Sequence, residues 1–373
     1  MLQVVDHLEG FLFRSSVRRL LSIGFLLTVF KSGIWYLPNL IQLREVAENP
    51  FENTLEYGCS HLFWNWLGPF LAWVLGIHGL WPLFCFHLLF SFAFTALVAW
   101  TIFRRLPERE ARVSWILFLI LPVSGTAYYW VGTDSITLFL MAAAVAFPRS
   151  RWAPLALGMA LGMEHFEQAF FAAGGALAML VLSRRSRTAC DYRPAWALLL
   201  LIGVVAGKLL LAGLFACWQV QLSSGRLDWL SDHLASVLRH FFLHIHFCLW
   251  SVLGVGWLAA IKYAERGREA WPFLAVLFAL LLVLLPVSDD QTRVLAIVTF
   301  PLIAICWLLH GPWLATLDNR LLSWMFLIWL VMPWAWVWGG LPRCSMLTYG
   351  LACLFGRLTG WFHIPSIDVP PFL

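Results

Sequence analysis

Long apolar runs alternate with short polar connectors along most of the chain. The runs begin near Leu20 and recur as far as Trp338. Several reach the roughly 20 residues that a helix needs to cross the hydrocarbon core of a bilayer. The pattern predicts an all-α, polytopic transmembrane helical bundle that forms a single domain over residues 1–373.

The composition supports the same class of protein. Hydrophobic residues make up 61% of the chain and charged residues 12%, whereas a soluble domain is about half apolar and about a quarter charged. A soluble core could not bury so much apolar surface, so the bilayer is the expected solvent. The 23 Trp and seven Tyr residues suit interfacial belts, helix contacts or the lining of a cavity.

Clusters of Arg and Lys predict the orientation, because basic residues collect in cytoplasmic loops. The clusters are Arg14/Arg18/Arg19, Arg104/Arg105/Arg109/Arg112, Arg149/Arg151, Arg184/Arg185/Arg187/Arg193, Lys262/Arg266/Arg268 and the lone Arg320. If all of them face the cytoplasm, the N-terminus is cytoplasmic and the chain leaves and returns between successive clusters. This predicts about eleven spans, at 18–37, 81–103, 113–131, 133–147, 152–164, 167–182, 194–218, 241–261, 271–287, 294–309 and 321–338.

Three regions depart from simple spans. Segments 152–164 and 167–182 are too short for straight spanning helices, so they are expected to form a broken hairpin buried among other helices. Residues 38–80 are expected to form an outer loop with interfacial or re-entrant helices. Residues 339–373 are expected to form an outer C-terminal tail.

Most acidic residues fall on the predicted outer side. They are Glu45, Glu48, Glu52, Glu56, Asp134, Glu164, Glu167, Asp228, Asp232, Asp289, Asp290 and Asp368. Acidic residues have little influence on topology, so this asymmetry does not simply repeat the rule for basic residues. It indicates a polar cavity that opens to the outside.

The first candidate carboxylates lie in the outer loop and at the junction of two spans. Glu45 and Glu48 have helical spacing, which suits a general base or metal ligands but also the solvated face of an interfacial helix. Asp134 lies so close to the hydrocarbon that function is the default hypothesis. Its alternative role is to cap the helix that begins there.

Further candidates lie at the tip of the predicted hairpin and near the start of a later span. Glu164, His165, Glu167 and Gln168 would place two acids, an imidazole and an amide at membrane depth. Arg293 is one of few outer basic residues, and a guanidinium suits bidentate binding of a phosphate. The alternative for Arg293 is an ion pair with Asp289 or Asp290. Lys208, near the middle of a span, needs a polar partner or a cavity.

The order of these features resembles the GT-C superfamily of polytopic membrane glycosyltransferases. The shared pattern comprises a first span, an acidic outer loop, the Gly68–Gly76 apolar stretch and the Gly132-Thr-Asp-Ser135 junction. The Gly158–Gln168 hairpin and the Asp290-Gln-Thr-Arg293 junction complete it. The departure from the family is that Lys31–Pro38 supplies no Asp soon after the first span, which leaves the identity of the base open.

The resemblance implies transfer of a sugar from a polyprenyl-phosphate carrier to an outward-facing glycan, lipid or protein. It makes Glu45 or Glu48 the base, with Asp134, Glu164 and Glu167 as further catalytic candidates. The substrate-binding candidates are Arg293, Arg44, Lys208, His165, Gln168, Tyr57 and Asp290. The expected partners are membrane lipid and the lipid-linked donor, with no nucleic acid, no metal and no other cofactor.

The expected location is the bacterial inner membrane, with the active site on the periplasmic or extracytoplasmic side. The alternative class is a transporter or flippase-like protein for a lipid-linked or small anionic substrate. Such proteins usually show internal repeats, and no convincing repeat relates the two halves of this chain.

Overall fold

The apolar runs form helices in a computed structural model of the protein, which describes residues 2–34, 39–185, 191–222, 226–332, 335–338 and 341–344. The helices are α1 Leu2–Arg14, α2 Val17–Ser32, α3 Leu40–Glu48, α4 Leu67–Val74, α5 Leu80–Arg105, α6 Glu108–Ile120, α7 Pro122–Tyr129, α8 Thr133–Ala146, α9 Ala153–Arg185, α10 Pro194–Cys217, α11 Arg226–Leu243, α12 Ile245–Leu253, α13 Gly256–Ala264, α14 Trp271–Leu284, α15 Gln291–Ile303, α16 Gly311–Leu314 and α17 Asn319–Val331. Two 3-10 segments, Tyr57–Trp64 and Gly267–Glu269, and one π-helical turn, Ala304–Leu308, join them.

Among the residues that the structure describes, four helices are long and apolar enough to cross a membrane: Leu80–Arg105, Ala153–Arg184, Pro194–Cys217 and Gln291–Leu308. The number rises to six if two bent pairs, α6 with α7 (54°) and α11 with α12 (82°), each count as one span. Helices α8, α14 and α17 are apolar but shorter. The prediction of a helical, multi-pass membrane bundle is therefore confirmed, with four to six candidate spans by length and composition among the described residues, while the eleven spans stay a prediction.

The chain turns a corner inside α9 at His165, whose backbone angles (φ −154°, ψ 79°) are not helical. Helix α10 starts beside the end of α8, where the Trp196 indole donates to the Ala144 carbonyl at 3.1 Å. Helix α15 starts beside the beginning of α8, where Arg293 contacts Asp134. Helices α10 and α15 therefore run in opposite directions through the bundle.

The two arms of α9 follow these two helices. In the first arm, Gly158 lies against Gly203 and Gly162 lies against Val204, so this arm runs parallel to α10. In the second arm, the sulfur atoms of Met179 and Cys306 are 3.6 Å apart, and Gly175 faces Leu302. That order makes the second arm parallel to α15. The expected broken hairpin thus takes the form of a helical corner with no loop between its arms.

Glycines allow the first arm of α9 to touch α10 backbone to backbone. A Cβ atom at Gly158 or Gly162 would collide with main-chain atoms of Leu200 or Val204, and one at Gly207 would collide with Met159. Small residues at such spacing let membrane helices approach closely. This close contact fixes the corner that carries Glu164.

The C-terminal end differs from the predicted span 321–338. Helix α17 ends at Val331, and the chain returns as strand β1, Ala335–Trp338, paired antiparallel with strand β2, Leu341–Cys344. Pro333 follows α17 in the sequence. The helical conformation is disfavoured for a residue that precedes a proline, which explains why the helix ends here. Residues 345–373 of the predicted outer tail lie outside the described part of the chain.

Helix α15 is the centre of the bundle and α10 is at its edge. In their most apolar windows, 89% of the residues of α15 but only 33% of those of α10 are buried. Short helices α3 and α4 and the 3-10 segment between them occupy the predicted outer loop 38–80. They cover the end of the bundle at which α8 and α15 begin.

Candidate functional site

Three charged residues meet where α8 and α15 begin. Arg293, in the first turn of α15, places Nη1 2.8 Å from Asp134 Oδ2 and Nε 2.7 Å from Asp290 Oδ2. Asp134 lies in the first turn of α8, where the helix dipole favours a negative charge, and it is fully buried. We call Asp134, Asp290 and Arg293 the charged triad.

The triad keeps one side of the guanidinium available. The Arg293 side chain is 19% exposed, whereas that of Asp134 is 0% exposed. The third nitrogen, Nη2, makes no hydrogen bond to the described residues. The Trp130 ring lies over the guanidinium at 5.4 Å. An anion could approach this open edge while the carboxylates hold the other two nitrogens.

The C-terminal hairpin closes over the start of α15. The Trp336 indole donates to Asp290 Oδ1 at 3.1 Å, and the Trp338 indole donates to Asp289 Oδ2 at 2.9 Å. Between them the Val337 amide donates to Thr292 Oγ1 at 2.9 Å. Burial raises the pKa of Asp290 to about 6 even though Arg293 acts to lower it.

Glu164 lies at the corner of α9, beside the triad. It is fully buried, its Oε2 accepts a hydrogen bond from the Gly68 amide at 2.7 Å, and it interacts electrostatically with Asp134. A Cβ atom at Gly68 would lie 3.2 Å from His87 Cε1 and 3.3 Å from Glu164 Oε1. The glycine therefore lets α4 approach both side chains.

Several buried polar atoms at this end have no hydrogen-bond partner among the described residues. They are Asp134 Oδ1, Glu164 Oε1, and the amide oxygens and nitrogens of Gln168 and Gln291. Buried polar groups in folded proteins are almost always satisfied by protein, water or ligand. A set of unsatisfied acceptors and donors beside the triad is therefore typical of a site that holds water or a polar substrate.

Two candidate acids of the outer loop, Glu45 and Glu48, lie on the short helix α3. Helix α3 packs Leu40 and Leu43 into the cluster that contains Trp130, while Glu45 is half-buried. Glu48 forms a surface ion pair with Arg44 at 3.5 Å. No hydrogen bond or ion pair joins these residues to the triad within the described chain.

The remaining candidates surround the α9 corner. The Lys208 ammonium lies 3.2 Å from the centre of the Trp64 ring and 5.5 Å from that of Phe166. His165 Nδ1 is 3.7 Å from Glu167 Oε2, and the side chain of Glu167 is 40% exposed. Gln168 is buried. The side chain of Tyr57 lies outside the described part of the chain.

Ligation of a metal needs several donors at one point. Within the described ranges, no group of three or more His, Cys, Asp or Glu side chains is arranged to hold a metal ion. The expectation of a metal-free site stays a prediction.

Sequence reasoning assigned no role to Gly68, His87 or Trp336. His87 carried a usable signal, because an ionisable residue inside an apolar run of α5 marks a functional position by default. Trp336 was placed inside a span, and Pro333 was the signal for a return of the chain. Nothing in the sequence pattern pairs Gly68 with Glu164.

Comparisons with known proteins give no relative for this chain. No protein-family model, curated protein or solved structure matches it. The functional conclusion therefore rests on the geometry of the site.

Proposed function

We propose that this protein is a membrane glycosyltransferase of the GT-C type that moves a sugar from a polyprenyl-phosphate carrier to an outward-facing acceptor. The single observation that carries the proposal is the open edge of Arg293 beside the buried carboxyl group of Glu164. A phosphate-binding cation and a carboxylate at one point of a membrane bundle are the two groups that this transfer requires.

Arg293 would stabilise the leaving group. In the transfer, the bond between the anomeric carbon and the phosphate oxygen breaks, and the lipid phosphate departs with the bonding electrons. A guanidinium held by Asp134 and Asp290 is already oriented, so it can meet the developing charge without rearranging. The triad has a net charge of −1 from one cation and two carboxylates. Protonation of Asp290 would bring it to zero and favour the anion.

Glu164 would act as the base. The acceptor hydroxyl forms the new bond to the anomeric carbon and gives its proton to a carboxylate oxygen. Glu164 Oε1 is unpaired, and its partner oxygen is held by the Gly68 amide, so the group is oriented for this step. Glu45 or Glu48 stays the alternative base from the family resemblance, with Asp134 as a positioning residue for Arg293.

We also propose eleven membrane-crossing segments, with the N-terminus in the cytoplasm of a bacterium and the site on the outer side of its inner membrane. The opposite directions of the two α9 arms support the number, because they divide one long helix into two passes. Glu52→Cys and Ser288→Cys should react with an impermeant thiol reagent in intact cells. Glu265→Cys should react only after permeabilisation. The reverse result would invert the orientation.

The function is tested by transfer from a radiolabelled polyprenyl-phosphate sugar in detergent or nanodiscs. Wild type should transfer the sugar to an acceptor from the same membrane, and Glu164→Gln should lose at least about a hundredfold in rate. Glu167→Gln is the matched control, because Glu167 is three residues away and partly exposed. If Glu164→Gln leaves transfer unchanged, the base would instead be Glu45 or Glu48. Uptake of donor into proteoliposomes without transfer would favour the transporter.

A further inference from the structure

We infer that Trp336 is a positioning residue for Arg293 and acts on it through Asp290. The inference concerns the geometry of the triad, and its consequence for donor binding rests on the proposed glycosyl transfer. No role in the site is expected for this residue from the sequence, which places it in a membrane span. The structure puts it against the charged centre.

A chain of two contacts carries the effect. One oxygen of Asp290 accepts the Trp336 indole N–H, and the other oxygen pairs with Arg293 Nε at 2.7 Å. A carboxylate held at both oxygens cannot rotate, so the guanidinium that it pairs with is held as well. The direction of the open Nη2 edge is thus set in part by a side chain that does not touch Arg293.

The indole is itself held firmly. Trp336 is fully buried and stacks on Tyr129, with ring centres 4.4 Å apart. Its own strand is anchored to α15 by the bond from Val337 to Thr292. Farther back, the Lys31 ammonium donates to the Met332 carbonyl at 2.6 Å and fixes the end of α17.

The same packing reaches Arg293 from a second side. Trp336 lies parallel to Trp130, with ring centres 6.3 Å apart, and Trp130 faces the guanidinium. Loss of the indole N–H would leave this packing largely in place, whereas Asp290 could then rotate away and loosen its pair with Arg293. The expected result is a guanidinium that is less well directed and a poorer receptor for an anion.

Trp338 provides a matched control. It lies on the same strand, and its indole also donates to an aspartate, but that aspartate is Asp289, which makes no ion pair with Arg293 among the described residues. Trp336→Phe and Trp338→Phe remove the same N–H group and the same volume. Only the first breaks the chain of contacts to Arg293.

The geometric test needs no substrate. Purified wild type, Trp336→Phe and Trp338→Phe are treated with phenylglyoxal, and modification of Arg293 is followed by mass spectrometry with Arg266 as the internal reference. Modification of Arg293 should become about tenfold faster in Trp336→Phe and stay within about twofold of wild type in Trp338→Phe. Equal rates in the two variants would overturn the positioning role, whatever the activity of the protein.

A double variant tests the route. With Asp290→Asn already present, Trp336→Phe should add little to the rate of modification, because the two residues act in series. Fully additive effects would contradict a route through Asp290. Binding of a short-chain isoprenyl phosphodiester sugar is then measured by calorimetry. Wild type that binds no such diester would contradict the proposed function, while a rate increase confined to Trp336→Phe would still support the positioning role.

Discussion

Arg112, which is buried, and Arg293, which is partly exposed, hold opposite ends of this bundle, and they are satisfied in different ways. Arg112 donates from Nε and Nη2 to Glu108, from Nη1 to the Leu12 carbonyl and from Nη2 to the Ser15 carbonyl. All three of its nitrogens are used. Arg293 uses two nitrogens, and both contact buried carboxylates instead of backbone.

The difference separates a structural cation from a candidate functional one. Glu108 is 68% exposed and lies one turn from Arg112 on the same helix, so its pair with Arg112 adds little beyond the ties to α1. Asp134 and Asp290 are 0% and 9% exposed and are brought to Arg293 from two regions. Burying three charges together is costly. A binding role for the unpaired nitrogen of Arg293 would explain why the protein retains these charges.

Removing each arginine should separate the two roles most strongly. Arg293→Ala should reduce sugar transfer by at least about a hundredfold, since a charge-assisted contact to the leaving phosphate would be lost. Arg293→Lys should retain weak transfer, because it keeps the charge without the bidentate geometry. Arg112→Ala should transfer at a rate within about threefold of wild type per folded molecule. Equal losses at the two positions would remove the distinction.

A charge-matched double variant should separate stability from activity at the triad. Arg293→Ala leaves two buried carboxylates without their cation and should lower the free energy of unfolding by about 3–5 kcal/mol. Arg293→Gln combined with Asp134→Asn should recover most of that loss, because it restores charge balance at similar volume. Transfer should stay absent. Unfolding by sodium dodecyl sulfate measures the stability, and recovery of transfer by the double variant would exclude the phosphate role.

The sequence predicted the class of fold because the bilayer imposes it on every segment. Apolar length and the positions of basic residues depend only on local composition, so helices α5, α10 and α15 fall close to spans expected at 81–103, 194–218 and 294–309. The corner at His165 was also predicted, because both arms are too short for straight spans.

The partners within the site could not be predicted as readily. Asp134, Glu164, Asp290 and Arg293 were selected one by one as costly charges in or near the membrane. Their meeting depends on how distant helices pack, for which a single sequence has no signal. For the same reason the role of Trp336 could not be predicted. Its contact with Asp290 joins a residue that follows α17 in the sequence to one that precedes it.

Two glycines on α10 should differ in how much an alanine substitution destabilises the protein. Gly207→Ala should destabilise the protein by about 1–3 kcal/mol, because its Cβ would collide with the backbone of Met159 on the arm that carries Glu164. Gly213→Ala, on the same helix with nothing within 4 Å of the added carbon, is the control. It should be neutral. Chemical unfolding of both variants tests this, and equal stability would contradict the tight α9–α10 contact.

The smallest expected effect is a dependence of anion binding on pH that belongs to the triad alone. The pKa of Asp290 is raised to about 6 by burial. The contribution of its protonated form to the free energy of unfolding is therefore present at low pH and is lost as the pH rises through that value. The same protonation brings the net charge of the triad from −1 to zero. A phosphodiester ligand stays singly charged over this range, so its affinity should rise by up to about tenfold between pH 7 and pH 5.

Titration calorimetry with an isoprenyl phosphodiester sugar measures the trend. Asp290→Asn should bind with an affinity that changes little over the same range. A wild-type affinity that falls on acidification would mean that Asp290 does not govern the charge at Arg293, and the contrast with Arg112 would then rest on geometry alone.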